Sequence, residues 1–222
     1  MKVLIACEFS EIIKEQFLLR GHDAHSCDLL PGEKGLPNHH QCDVLGILSN
    51  GWDLMIAHPP CTYLTVTGNK WFKPEYKDRF PTRVKDREEA VEFFMALVAA
   101  NIPKSCIENP VGIMSTIYRK PNQIVQPYQF GHCEPKKTCL WLKGLPQLIP
   151  TKIVEPEYMT SKSGKRLAKW YYQPSYTPER QQMRNRTFKG IAEAMAEQWG
   201  IEIEEKYCEI AANRCRQSVM EF

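Results

Sequence analysis

At 222 residues with 43% hydrophobic content, the chain is long enough to bury one substantial core and short for two full domains. Lys and Arg number 29 against 26 acids, and the formal charge of +3 neither demands nor excludes a phosphate-bearing partner. No apolar run approaches the roughly 18 residues that span a bilayer, and the nine cysteines lack CxxC pairs. The expectation is therefore a soluble cytoplasmic protein, with no membrane contact, whose thiols are mostly small buried hydrophobes.

Lys2–Ala6 (KVLIA) is a short apolar run of the buried-strand kind. Ile12, Ile13, Gln16, Phe17 and Leu18 follow at helical spacing until Gly21. Residues 22–27 predict a second strand ending at Asp28, after which Pro31, Gly32, Gly35 and Pro37 make a loop leading to Cys42-Asp43-Val44. Residues 52–57 (WDLMIA) predict another buried strand, which the prolines of His58-Pro59-Pro60-Cys61 forbid from continuing.

From residue 62 to 83 the composition turns to glycine, proline, aromatic and basic residues, which predicts a long loop. A helix is expected over 84–100, with Val91, Phe94, Met95 and Val98 on one face. Residues 104–107 predict a strand that stops before Glu108-Asn109-Pro110, and residues 138–142 a further strand. Periodicity weakens over 146–178, so a small loop-rich insertion is placed near 145–182. Helices over 188–199 and 207–217, on either side of Gly200, complete a single domain over 1–222. Strands alternating with helices indicate an α/β fold whose open, mostly parallel sheet binds ligands beyond the carboxyl ends of its strands.

Cys61 follows two prolines at a strand end, a setting that holds the backbone rigidly and presents the thiol to a crevice. His58-Pro59-Pro60-Cys61-Thr62-Tyr63-Leu64 resembles the Pro-Pro-Cys nucleophile loop of the cytosine-C5 DNA methyltransferases, and Glu108-Asn109-Pro110 resembles their Glu-Asn-Val element. The resemblance is to a compact, phage-like member lacking a large target-recognition domain. It implies a Rossmann-like S-adenosylmethionine-dependent methyltransferase fold, with Cys61 attacking C6 of cytosine and Glu108 polarising the ring near N3 and the exocyclic amine. In that scheme the working form of Glu108 is the protonated acid, its pKa raised in a closed pocket.

For the cofactor S-adenosylmethionine, residues 6–10 (ACEFS) resemble the Phe-containing loop after the family's first strand, which assigns Phe9 and Ser10 to it. By the same resemblance Asp28 takes the ribose hydroxyls, Asp43 contacts the adenine and Pro60 flanks the methyl donor. Read from the residues alone, Asp28 and Asp43 are equally loop or helix caps. Where the family carries glycines after its Phe-Ser pair this chain has Glu11-Ile12-Ile13, which works against close backbone approach.

Arg184-Asn185-Arg186-Thr187, with the Gly190-led helix after it, resembles the family's last motif, a helix returning to the cofactor pocket; an ordinary packed helix is the alternative. Lys136-Lys137-Thr138 stands in place of the Gln-x-Arg-x-Arg element without its residues, and no role is carried onto it. Lys162, Lys165, Arg166, Lys169, Trp170, Tyr171 and Tyr172 interleave basic and aromatic side chains, as do Trp71-Phe72-Lys73 and Arg79, which suits phosphate contact and base stacking. His39-His40-x-Cys42 matches no structural zinc spacing, so no metal is expected. Residues 200–211 resemble a segment of the amino-methylating DNA methyltransferases, but Cys61 stands where amine chemistry needs an aromatic residue. DNA is the expected partner, its cytosine taken out of the stack or presented on a single strand. Two alternatives stay open: C5 modification of a free pyrimidine nucleotide, and a non-catalytic nucleic-acid-binding protein.

Overall fold

The computed structural model describes residues 1–161, 164, 166–169 and 186–201. Its centre is a seven-stranded sheet of β1 (Lys2–Ala6), β2 (Asp23–Asp28), β3 (His39–Gln41), β4 (Leu54–Ala57), β5 (Lys104–Pro110), β6 (Gln123–Val125) and β7 (Thr138–Lys143). The strand order is β3-β2-β1-β4-β5-β7-β6. Strands β1 to β5 pair in parallel, while β7 runs antiparallel to both β5 and β6. This is the Rossmann-like, mostly parallel open sheet that the resemblance implies.

Because β1 is paired on both edges and covered on both faces, its residues from Val3 to Ala6 are apolar without alternation. Val3 and Ile5 face one core, with Ile13 and Phe17 of α1 (Ile12–Leu18) and Ile191, Ala192 and Met195 of the last described helix. Leu4 and Ala6 face the other, with Phe94 and Leu97 of α2 (Arg83–Ala99) and Trp141. Burying each large side chain of this kind is worth about 1.5–3 kcal/mol. A one-turn helix, α3 (Met114–Ile117), follows β5, and the last described helix is α4 (Lys189–Trp199). No helix among the described residues is long and apolar enough to cross a membrane.

Two strands of the seven-stranded sheet lie outside the sequence expectation. β3 is three polar residues on one sheet edge, held by Ser26 Oγ to His39 Nδ1 (2.8 Å) and His25 Nδ1 to His40 Nε2 (2.9 Å). β6 is three residues on the other edge. Within the insertion, β8 (Tyr158–Thr160) and β9 (Arg166–Ala168) form an antiparallel hairpin in place of plain loop. There Arg166 stacks over Tyr158 and Lys169 pairs with Glu157 at 2.9 Å. Lys162, Lys165, Trp170, Tyr171, Tyr172, Arg184, Asn185 and the helix expected over 207–217 lie outside the described residues.

The end of β5 also corrects the sequence expectation. Pairing with β4 stops at Ala57 opposite Ile107, but the antiparallel neighbour β7 carries the ladder on through Glu108, Asn109 and Pro110. Glu108 therefore sits inside a strand whose other edge is free, next to the residues that leave β4.

Candidate active site

The order of strand addition reverses between the parallel neighbours β1 and β4: β2 and β3 build outward on one side, and β5 on the other. The carboxyl ends of those two strands are the switch point where open α/β sheets bind ligands. A cleft of about 590 Å³ opens there, within the size range of small-molecule sites. Cys61, Glu108, Phe9, Ser10, Asp28 and Pro60, which sequence reasoning assigned to catalysis and cofactor binding, all line it. Asp43 does not. It is exposed, and its Oδ1 accepts from Leu45 N at 3.0 Å as the cap of a short 3-10 turn. Asp28 is both a turn acid and a cleft residue, for its Oδ1 accepts from Leu30 N at 2.9 Å.

Local chemistry fixes the Pro-Pro-Cys loop from three sides. His58 N donates to Ala6 O at 2.9 Å, extending the β1–β4 ladder by one rung. Asn109 Nδ2 donates to Pro59 O at 2.8 Å, tying the loop to β5. The Cys61 carbonyl accepts from the N–H groups of Leu64 and Thr65, each at 3.0 Å, so the chain turns sharply and brings Thr62, Thr65 and Thr67 onto the cleft wall. A further tie runs from Ile113 N to Leu64 O (2.9 Å). It needs Gly112, where a Cβ would stand 2.2 Å from that same oxygen.

The first loop meets its lack of glycine directly. Cys7 and Glu11 adopt left-handed backbone, φ 59° and 55°, the conformation glycine ordinarily supplies. Glu11 is fully buried and turned away from the cleft, pairing with the buried Lys14 ammonium and accepting from Lys34 N at 2.7 Å. Burial pushes its carboxyl up, but Lys14 and the N–H groups of Lys34 and Leu36 outweigh that and hold it below the ordinary value. The backbone shape is kept and the side chain leaves the cleft open.

Glu8, Lys136 and His58 are functional candidates that sequence reasoning did not assign. Glu8 is buried at the end of β1 and accepts from Ile13 N (2.7 Å) and Lys14 N (3.2 Å), capping α1. Desolvation raises its pKa despite those bonds and the charges of His58 and Lys14. An acid between a strand and the first turn of a helix was the available signal. Lys136 lines the cleft wall opposite, at the approach to β7. His58 Nδ1 lies 2.9 Å from Glu108 Oε2, with the two side chains 11% and 18% exposed.

Glu108 departs from expectation in its charge. Burial pushes its carboxyl up, but the hydrogen bond and charge of His58, with Lys136 beyond, bring it below the ordinary value. The neighbours therefore favour the carboxylate over the protonated acid.

Beside the cleft, the loop after Cys61 is packed by stacked cations. Arg87 lies 3.3 Å from the Phe72 ring centre and donates to Tyr63 O at 2.9 Å, while Lys70 and Arg79 lie over Trp71. At the far wall Thr187 reaches the cleft just before α4. That helix starts close against Phe130, and a Cβ on Gly190 would come within 1.9 Å of Phe130 O.

No family model matches the chain, and no curated protein matches it either. Among solved structures the chain is similar to one from E. coli, provisionally named as a DNA modification methyltransferase encoded within a prophage. The match has 14% identity and a TM-score of 0.41, over 69% of this chain and 51% of that one. The chain thus spans about half the length of that protein.

Proposed function

We propose that the protein transfers a methyl group from S-adenosylmethionine to C5 of cytosine in DNA through a covalent Cys61 adduct. The observation that carries this is the convergence of Cys61, Glu108, Phe9, Ser10 and Asp28, from four different strand ends, on one cleft at the switch point.

C5 of cytosine is a poor nucleophile until a thiolate adds at C6 and makes the ring an enamine. Cys61 makes that bond, held by the carbonyl contacts of its own turn and by Asn109 behind Pro59. Glu108 meets the amine edge of the ring, accepting from the N4 donor that distinguishes cytosine from thymine. Loss of the C5 proton and departure of the thiolate restore the aromatic ring.

The chain's residues fit the cofactor: the left-handed backbone at Cys7 and Glu11 lets the first loop turn tightly, and Asp28 offers an acceptor at the β2 end. When bound, S-adenosylmethionine supplies an electrophilic methyl group. Phe9, Ser10, Asp28 and Pro60 would hold it. Lys70, Lys73 and Arg79 are exposed on the loop that continues from the cleft wall, a placement suited to the phosphates of a strand whose base has entered.

The test is incubation of wild type and Cys61→Ala with tritium-methyl S-adenosylmethionine and single- or double-stranded DNA, followed by nucleoside analysis. Labelled 5-methylcytosine from wild type alone is expected. Label on dCMP but not on DNA would move the substrate to the free nucleotide. No label from a folded protein would sink the proposal.

A further inference from the structure

A cytosine ring presents a donor at its amine and an acceptor at N3. A carboxylate at Glu108 satisfies the first and opposes the second, so one proton has to enter the site as negative charge develops on the ring. The only imidazole lining the cleft among the described residues is His58, whose Nδ1 is 2.9 Å from Glu108 Oε2. Its Nε2 is buried and has no hydrogen-bond partner among the described residues.

The charged groups around this pair come from each neighbouring element. Glu8 stands on the β1 side and Lys136 on the β7 side, and the buried thiols of Cys106 and Cys139 lie within electrostatic reach of Glu108. Across adjacent strand ends the order is acid, imidazole, acid: Glu8 after β1, His58 after β4, Glu108 in β5.

Resting on the function proposed above, we infer that His58 is the proton reservoir of the site and positions and protonates Glu108. In its imidazolium form His58 gives its Nδ1 proton to the Glu108 carboxylate, and the resulting acid gives a proton to N3. The Cys61 thiolate electron pair meanwhile forms the S–C6 bond, the C5=C6 π pair becomes C4=C5, and the C4=N3 π pair takes the proton at N3. When the C5 proton has passed to a solvent water, its C–H electrons have formed C5=C6 and the S–C6 electrons have returned to sulfur, the N3 proton goes back through Glu108 to His58. The couple ends as it began, with no proton gained or lost. An imidazole suits this because either ring nitrogen can carry a proton and Nδ1 stands within hydrogen-bond distance of the carboxylate.

Two variants separate this from a packing role. His58→Asn keeps an N–H donor where Nδ1 stands but has no proton to release, whereas His58→Leu removes the donor altogether. In single-turnover methylation the wild-type rate falls as pH rises through the imidazole range. His58→Asn loses on the order of 10²-fold and loses that limb of the profile. A packing role would make Asn the mild substitution, so a wild-type rate and profile in His58→Asn overturns the inference.

The second readout needs no turnover: the carboxyl carbon of Glu108, followed by carbon-13 NMR against pH. Its midpoint lies below the ordinary glutamate value in wild type and rises in His58→Leu, where only the charge of Lys136 still opposes burial. An unmoved midpoint overturns the inference even in an active enzyme. Absence of 5-methylcytosine from wild type is instead a failure of the proposed function, with the His58–Glu108 coupling still read from the titration.

Discussion

Glu11 shows how a single residue can satisfy a loop that its type argues against. A non-glycine residue in left-handed backbone costs about 1–2 kcal/mol, and here the carboxylate is also fully buried. Lys14 compensates, itself bonded to Leu36 O and Pro37 O, so one ion pair holds the loop that leads toward β3. Lys14→Met leaves a buried charge unpaired and is expected to cost about 3–5 kcal/mol in urea unfolding. The double variant Glu11→Gly/Lys14→Met removes charge and strain together and recovers more than half of that loss. The pH sign follows from the lowered Glu11 carboxyl. Its contribution is complete above the ordinary carboxylate value and is lost as pH falls through the lower folded value, so acid weakens wild type by a contribution that the double variant lacks. This was not legible in the sequence, where the missing glycines argued against close backbone approach; Lys14 is three positions from Glu11, but the bonds that complete the compensation come from Lys34, Leu36 and Pro37, more than twenty positions away.

At the level of elements, periodicity succeeded where burial is two-sided. β1 and β4 are unbroken apolar runs, and α1 and α4 carry apolar faces that meet the same core. It failed at the sheet edges, because β3 and β6 are three residues each and draw their pairing from neighbours more than from composition. The site was legible wherever a proline marked a strand end. It was misjudged at β5, because an antiparallel partner extends a strand past the point where its parallel partner stops. Gly112 and Gly190 are element joints of two kinds. Gly190→Ala drives a Cβ into Phe130 O and displaces α4 from the core. A loss of about 1–3 kcal/mol is expected, read as a melting temperature lower by roughly 2–4 °C per kcal/mol. Gly112→Ala strains the tie between the Cys61 loop and the residues after Glu108. Its methylation rate should fall on the order of 10²-fold, as misplacement of about 1 Å does, while its melting temperature moves less than that of Gly190→Ala.

For the molecule as a whole, the sheet order decides which acids can meet a ligand. Asp28 ends β2, beside β1, and lines the cleft; Asp43 follows β3 and is within electrostatic reach of Cys7, yet it is outside the lining. Ligand binding to the folded state alone adds about 2.7 kcal/mol at a hundredfold excess over Kd, so S-adenosylmethionine at that excess should raise the wild-type melting temperature by roughly 5–10 °C. Asp28→Asn can still accept from Leu30 N and keep its turn, but it loses the charge, and its thermal shift at the same ligand concentration should shrink to less than half. Asp43→Asn likewise keeps its cap on Leu45 N and should shift as wild type does. Equal losses in the two variants would mean that the ligand extends past the cleft lining to Asp43, and that the adenine contact implied by the resemblance is made by a residue which this arrangement leaves outside the cleft.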